Sequence, residues 1–281
     1  MDFYTTVQDF TGVYCEQPFM NALRGTAEKS AGILWMDCTQ ISGTDCYCDD
    51  EAKGQLLKMI KQAEESFGKG EKKLPGIHFF DNGNYHYNSK LWTDQIREHF
   101  DLVIFDHHPD MQPPRFQGIL SCGGWVKEVL DTNPFARNVL LIGVADHLIE
   151  EIRGDISAEF EKYADRVKFI KESQLRNDSM RYVLREAFEG FLSRSPVYIS
   201  IDKDVLCAKD AVTNWDQGSM TLAQLEEILR NLFCGHKVLG VDICGERAKN
   251  QTYTEGLDER AADTINNTTN INLYKILQSL F

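Results

Sequence analysis

The feature that most constrains the fold is a series of short, nearly all-apolar runs separated by amphipathic stretches. The runs are Ile33 to Met36, Gly76 to Phe80, Leu102 to Phe105, Val139 to Gly143, Val167 to Ile170, Val197 to Ile201 and Val238 to Val241. A strand with one solvated face alternates apolar and polar residues, whereas a strand apolar throughout is covered on both sides. Between the runs, Glu51 to Phe67 sets Leu56, Leu57, Ile60 and Ala63 on one helical stripe, and Ser179 to Leu192 does the same with Tyr182, Val183, Ala187 and Phe191. Thr221-Leu222-Ala223-Gln224 reads as a capping box that opens a helix to Phe233, with Gly235 as its stop, and a closing helix is expected over Asn266 to Leu280. This alternation predicts one α/β domain over residues 1–281, with three αβα layers and a mainly parallel central sheet. A chain of 281 residues, 42% of them hydrophobic, can bury such a core.

Two of the runs end in unusual chemistry. Leu102 to Phe105 is followed by Asp106-His107-His108-Pro109-Asp110, and Val197 to Ile199 by Ser200-Ile201-Asp202-Lys203-Asp204. Side chains of an extended chain alternate between faces, so Asp106, His108 and Asp110 are expected on one side, and Asp202 with Asp204. His107 and Pro109 then fall on the other. Either segment alone also reads as an ordinary helix N-cap. Together they bring four carboxylates and an imidazole to strand ends, where an open α/β sheet binds its ligands. Such a group repels itself unless divalent cations occupy it, and mixed oxygen and nitrogen donors suit manganese-like or zinc-like ions. A hydroxide held between two such ions is a nucleophile at neutral pH.

The net charge of −13 argues against a nucleic-acid backbone as partner. No apolar run reaches membrane-spanning length, and the first residues do not resemble a signal peptide. The chain is therefore read as cytoplasmic, with a small-molecule substrate, no nucleic-acid or membrane partner, and a homo-oligomer left open. Eight cysteines, mostly scattered, read as reduced thiols. Cys46-Tyr47-Cys48 lacks zinc-knuckle spacing and is expected in a surface loop.

The pattern Asp-x-His-x-Asp followed by Ser-x-Asp-x-Asp, both at strand ends, resembles the arginase (ureohydrolase) superfamily. That resemblance implies a parallel sheet flanked by helices and a pair of manganese ions, other divalent metals being compatible, that hydrolyse a linear C–N bond of a guanidino, amidino or acyl-amine substrate through a metal-bridging hydroxide. Asn82-Gly83-Asn84-Tyr85-His86 matches the family's turn before the first motif, so His86 is implied as the sixth ligand. By motif position, Asp106 and Asp202 would bridge the metals and act catalytically. His86 and Asp110 would complete one metal, and His108 and Asp204 the other. Trp215 and Asp216 fall in the loop expected to wall the pocket. Glu246 falls near the strand-end carboxylate that binds the substrate's cationic group, one residue later than the usual pattern. His147, after another strand, is a candidate for proton transfer. His78, inside a strand, reads as a hydrogen-bonded core histidine.

The sequence also departs from the family. Arginases proper carry a proton-shuttling histidine where this chain reads Ser121-Cys122-Gly123-Gly124-Trp125, and the usual Asp-Pro after the second motif is absent. Arginine as substrate therefore does not follow. Three other readings remain: an Asp-His-His phosphoesterase, on the triplet Asp106-His107-His108; a single-zinc deacetylase variant; and a non-catalytic arginase-fold binding protein.

Overall fold

The computed structural model describes residues 3–27, 32–67, 76–113, 116, 118–155, 161–176, 180–192, 195–253 and 257–281. Its strands are β1 (Tyr4–Asp9), β2 (Ile33–Asp37), β3 (Tyr47–Cys48), β4 (Gly76–Phe79) and β5 (Phe100–Phe105). The chain continues through β6 (Leu120–Ser121), β7 (Ala136–Val144), β8 (Val167–Lys171), β9 (Val197–Asp202) and β10 (Val238–Cys244). Eight of these form one sheet in the order β2-β1-β4-β10-β9-β5-β7-β8, every neighbouring pair parallel. β3 and β6 make a separate antiparallel pair.

The helices are α1 (Pro18–Ala27), α2 (Asp50–Phe67), α3 (Asn88–Thr93), α4 (Trp125–Thr132) and α5 (Asp146–Asp155). They are followed by α6 (Glu172–Leu175), α7 (Met180–Glu186), α8 (Leu222–Gly235) and α9 (Glu259–Leu280). The strand pleat divides the apolar residues between two cores. Leu102 and Ile104 of β5 pack with Leu56 and Ile60 of α2, Val126 and Val129 of α4 and Ile149 of α5. Val103 and Phe105 pack on the other face with Met20 of α1, Leu184 of α7, Leu225 and Ile228 of α8 and Leu273 of α9. Full burial of each such side chain contributes about 1.5–3 kcal/mol. The result is the three-layer αβα arrangement that uninterrupted apolar strands require. No helix among the described residues is long and apolar enough to cross a membrane.

Several elements differ from the sequence reading. β1 is fully buried although Thr5, Thr6, Gln8 and Asp9 are polar, so no apolar run marks it. Hydrogen bonds satisfy it: Thr6 Oγ1 lies 2.7 Å from His78 Nδ1, and Gln8 Oε1 accepts from Trp92 Nε1 at 2.8 Å. His78 is thus a core histidine, stacked on Trp92. The helix expected over Ser179 to Leu192 changes at Ala187 into a π-turn ending at Phe191, and Ser179 lies outside the described residues. α9 starts earlier than Asn266, at Glu259, because Asp258 accepts from the Ala261 amide at 2.8 Å and caps it. The capping box at Thr221 forms as expected, with Thr221 Oγ1 accepting from the Gln224 amide at 3.2 Å. Cys46-Tyr47-Cys48 is not a plain loop: Tyr47 and Cys48 pair with β6.

Candidate metal centre

The carboxyl ends of β5 and β9 lie side by side in the middle of the sheet. β5 stops at Phe105, and the chain leaves the sheet through Asp106. Asp106, His108 and Asp110 therefore converge through a loop rather than through strand alternation, and Asp110 takes a left-handed φ of 46°. Asp202 is the last residue of β9, and Asp204 lies in a single 3-10 turn, Lys203–Val205. The Asp202 carboxylate accepts from the Asp204 amide at 2.9 Å, which folds the turn back toward the strand end. His86 closes another short turn, Gly83–Tyr85, started by Asn82. That turn needs glycine: a Cβ at Gly83 would lie 2.7 Å from Trp215 Cδ1 and 3.0 Å from Asp202 Oδ2.

These turns bring the six side chains together. His86 Nδ1 lies 3.2 Å from Asp106 Oδ2, 3.1 Å from Asp110 Oδ2 and 3.6 Å from Asp202 Oδ2. His108 Nδ1 lies 2.8 Å from Asp204 Oδ2 and 3.5 Å from Asp106 Oδ1. Two metal-sized triads result, His86/Asp106/Asp110 and Asp106/His108/Asp204, and they share Asp106. A third, His86/Asp202/Cys244, adds a cysteine that the motif reading missed. Its thiol donates to Asp202 Oδ2 at 3.2 Å. Cys244 stands at the last position of β10, next to β9, so only sheet order reveals it.

The electrostatics fit a cation. Burial, then the charges of Asp204 and Asp106, raises the Asp202 carboxyl to about 7. Burial and Asp106 raise Asp204 to about 6. Burial alone would lower the His86 imidazole, but the Asp106 and Asp110 carboxylates beside it outweigh that and hold it well above its ordinary value. His108 behaves the same way against Asp106 and Asp204. Protons thus stand in for metal charge. Asp106 Oδ2 is buried without a hydrogen-bond partner, an acceptor a cation would satisfy.

Outer contacts orient the donors. His86 Nε2 lies 2.8 Å from Ser200 Oγ, itself 2.9 Å from Ser89 Oγ. A ligating Nδ1 must be unprotonated, which puts the proton on Nε2 and makes Ser200 its acceptor. Trp125 Nε1 donates to Asp110 Oδ2 at 2.6 Å, and the His107 amide to Asp204 Oδ1 at 3.0 Å. His108 Nε2 lies 3.0 Å from Asp216 Oδ1, and the hydrogen bond and charge of His108 outweigh burial to lower the Asp216 carboxyl.

The cluster floors a pocket of about 290 Å³, walled by Cys46, Tyr47, Gln112, Cys122 and Trp215 among others. Trp215 therefore stands where a wall residue was expected, and Asp216 reaches the centre through His108. Pro109 also lines the pocket, against the expectation from alternation, because the segment is not extended. The His107 ring faces away from it, with Nδ1 packed close to Gly218. Two expected residues are placed elsewhere. His147 is exposed in the first turn of α5, outside the pocket lining. Glu246 is buried behind the centre, ion-paired with Lys203, so its carboxylate is already matched to a cation and does not face the pocket.

Comparison with known proteins gives the family and the fold. Residues 87–249 match the model of the Arginase family. An uncharacterized protein of Thermotoga maritima is 30% identical over 245 residues, covering 85% of this chain and 78% of that protein. Among solved structures, formimidoylglutamase from Bacillus subtilis superposes with a TM-score of 0.63 at 13% identity, covering 96% of this chain and 87% of the other. Proclavaminate amidino hydrolase from Streptomyces clavuligerus gives 0.63 at 14%, covering 98% and 91%. At these identities the solved structures speak for the fold alone.

Proposed function

The chain belongs to the arginase family, and from that premise we propose that it is a binuclear manganese hydrolase acting on a linear C–N bond of a small guanidino, amidino or acyl-amine substrate. The observation that carries this reading is the pair of ligand triads sharing Asp106 at the floor of a pocket. His86, Asp106, Asp110, Asp202, Asp204 and His108 would hold the cations. When bound, the cations lower the pKa of a water and offset charge developing on the substrate.

The chain's own groups supply the rest. Ser200 Oγ accepts a hydrogen bond from His86 Nε2–H, which keeps the proton on Nε2 and so presents a bare Nδ1 to the centre. Asp216 likewise accepts from His108 Nε2–H and lies at the solvent side of that imidazole, where it can relay a proton from solvent to a departing amine. Trp215, 42% exposed, offers an indole face against which a flat amidino group can lie. His147 and Glu246 receive no contact with substrate in this scheme.

Two measurements test the reading. Saturating manganese should give about two ions per chain, since six donors with a shared carboxylate exceed what one ion uses. A panel of guanidino, amidino and acyl-amine compounds should then contain a substrate whose turnover needs both ions. One ion per chain at saturation, or hydrolysis of a phosphodiester in place of every C–N compound, overturns it.

A further inference from the structure

The pocket has a second reactive feature, away from the six ligands. In the antiparallel pair β3·β6, Tyr47 stands opposite Ser121 and Cys48 opposite Leu120. One step further in the same register, Cys46 stands opposite Cys122, and the Cys122 amide donates to the Cys46 carbonyl at 2.9 Å. Directly opposed residues in an antiparallel ladder have Cα atoms about 4.5–5.5 Å apart. That lies inside the span of about 4.4–6.8 Å that a disulfide accepts. Both thiols are free and half-buried, and both line the pocket, so a small reagent can reach them from its mouth.

We propose that Cys46 and Cys122 form a reversible thiol–disulfide pair in the wall of the metal pocket, closed by exchange with a low-molecular-weight disulfide such as oxidised glutathione. Cys46 gives its proton to solvent, and its thiolate attacks one sulfur of the reagent. A mixed disulfide forms at Cys46, and one glutathione thiolate leaves and is protonated. Cys122 then loses its proton, and its sulfur attacks Cys46 Sγ; the mixed disulfide breaks and a second glutathione leaves. Two protein thiols are oxidised, and one disulfide is reduced to two thiols.

The order of attack follows from the local chemistry. The hydrogen bond from the Cys122 thiol lowers Cys46, the direction that makes a nucleophile, while the same bond followed by burial raises Cys122. Cys46 also sits at a left-handed φ of 58°, where the chain turns into β3. Closure ties that turn to the turn carrying Gly123 and fixes one wall of the pocket. It uses none of the six ligands, so it stands whether or not the hydrolase reading does.

The test uses the full manganese-loaded chain in glutathione buffers of increasing oxidised fraction, acid-quenched, alkylated and mapped by peptide mass spectrometry. A Cys46–Cys122 cross-linked peptide should accumulate with loss of two thiol hydrogens and disappear with dithiothreitol. C122S should leave glutathione attached to Cys46, and C46S should leave Cys122 a free thiol. The proposal is overturned if both residues remain thiols where the exposed Cys15 and Cys234 are already modified. It is overturned equally if wild-type Cys46 keeps its glutathione as long as C122S does.

Discussion

The two sides of the segment Ser200 to Asp204 hold buried charge in opposite ways. On the pocket side, Asp202 and Asp204 join Asp106 and Asp110, and among the described residues His86 and His108 oppose them. On the back, Lys203 points away from the pocket and is fully buried with Glu246. There Asn270 Oδ1 accepts from Lys203 Nζ at 3.1 Å, and Glu246 accepts from Gln17 Nε2 at 2.7 Å and Asn270 Nδ2 at 2.8 Å. One cation meets one anion, and amides fill the remaining positions, so the back is electrically complete. The pocket side leaves a buried carboxylate oxygen without a hydrogen bond and holds protons in place of positive charge. Adjacent residues of one strand end thus serve separate ends: the complete cluster ties β9 to α9 and the N-terminal segment, and the incomplete one is built to take something up.

The difference can be broken most severely at Asp106. Asp106→Ala removes the carboxylate common to two triads. Cations supply several kcal/mol of charge stabilisation, so hydrolysis should fall at least about a thousandfold. The metal-free variant should be as stable as the metal-free wild type or more so, because one buried like charge has gone. Calorimetry of both chains in chelator checks this; an unfolded variant would make Asp106 a structural residue and erase the contrast with the back.

Lys203→Met attacks the other side. It strands Glu246 as an unpaired buried charge, which costs about 3–5 kcal/mol. Adding Glu246→Gln should return much of that loss, since the charge is then removed with its partner. Urea unfolding of the two variants without metal decides it. If Lys203→Met alone is as stable as wild type, the back is not the closed cluster described above.

A smaller effect separates the paired histidines. His108 Nδ1 meets Asp204 and Asp106, whereas the His107 ring turns toward Gly218 and lies 3.6 Å from Asp216. His108→Ala should weaken manganese binding by more than about a hundredfold; His107→Ala, which touches the centre only through neighbours, by about tenfold or less. Similar large losses in both, read by isothermal titration, would favour the phosphoesterase reading of the Asp-His-His triplet.

Which parts were legible in the sequence follows from the same contrast. The acidic and histidine cluster was readable because few chains place Asp-x-His-x-Asp and Ser-x-Asp-x-Asp at strand ends. The sheet was readable where strands are apolar, as in β5 and β9, and unreadable in β1, where Thr5, Thr6 and Gln8 are buried through hydrogen bonds. Strand alternation grouped acids that the structure does bring together, but for an incomplete reason: the loop at Asp110 and the turn at Lys203, not a pleat, aim them. The sequence attached no role to Lys203, and it placed Glu246 near the substrate's cationic group. Their partnership spans 43 residues and depends on β9 lying beside β10. Cys46 and Cys122 meet only through the register of β3 with β6, which no local pattern encodes.

The mildest test concerns pH. In the metal-free protein Asp202, Asp204, His86 and His108 all have raised pKa values, so the folded chain holds protons that the unfolded chain releases. For such groups the stabilising contribution is present below the unfolded value and is lost as pH rises through the folded one. Asp202 and Asp204 therefore withdraw support between about pH 4, the unfolded carboxylate range, and the folded values near 6 and 7. The histidines begin to withdraw theirs above about 6.5. On the proposed reading manganese would compete with the same protons, so its binding would strengthen over the interval in which metal-free stability falls. Each proton displaced makes the apparent affinity about tenfold stronger per pH unit, or about 1.4 kcal/mol. The rise in melting temperature produced by a fixed manganese concentration should accordingly grow from pH 6 to pH 8, by a few degrees per unit. A gain that is flat or shrinks over that range would mean that these four groups do not share their site with the metal. The electrically incomplete side would then lie elsewhere in the molecule.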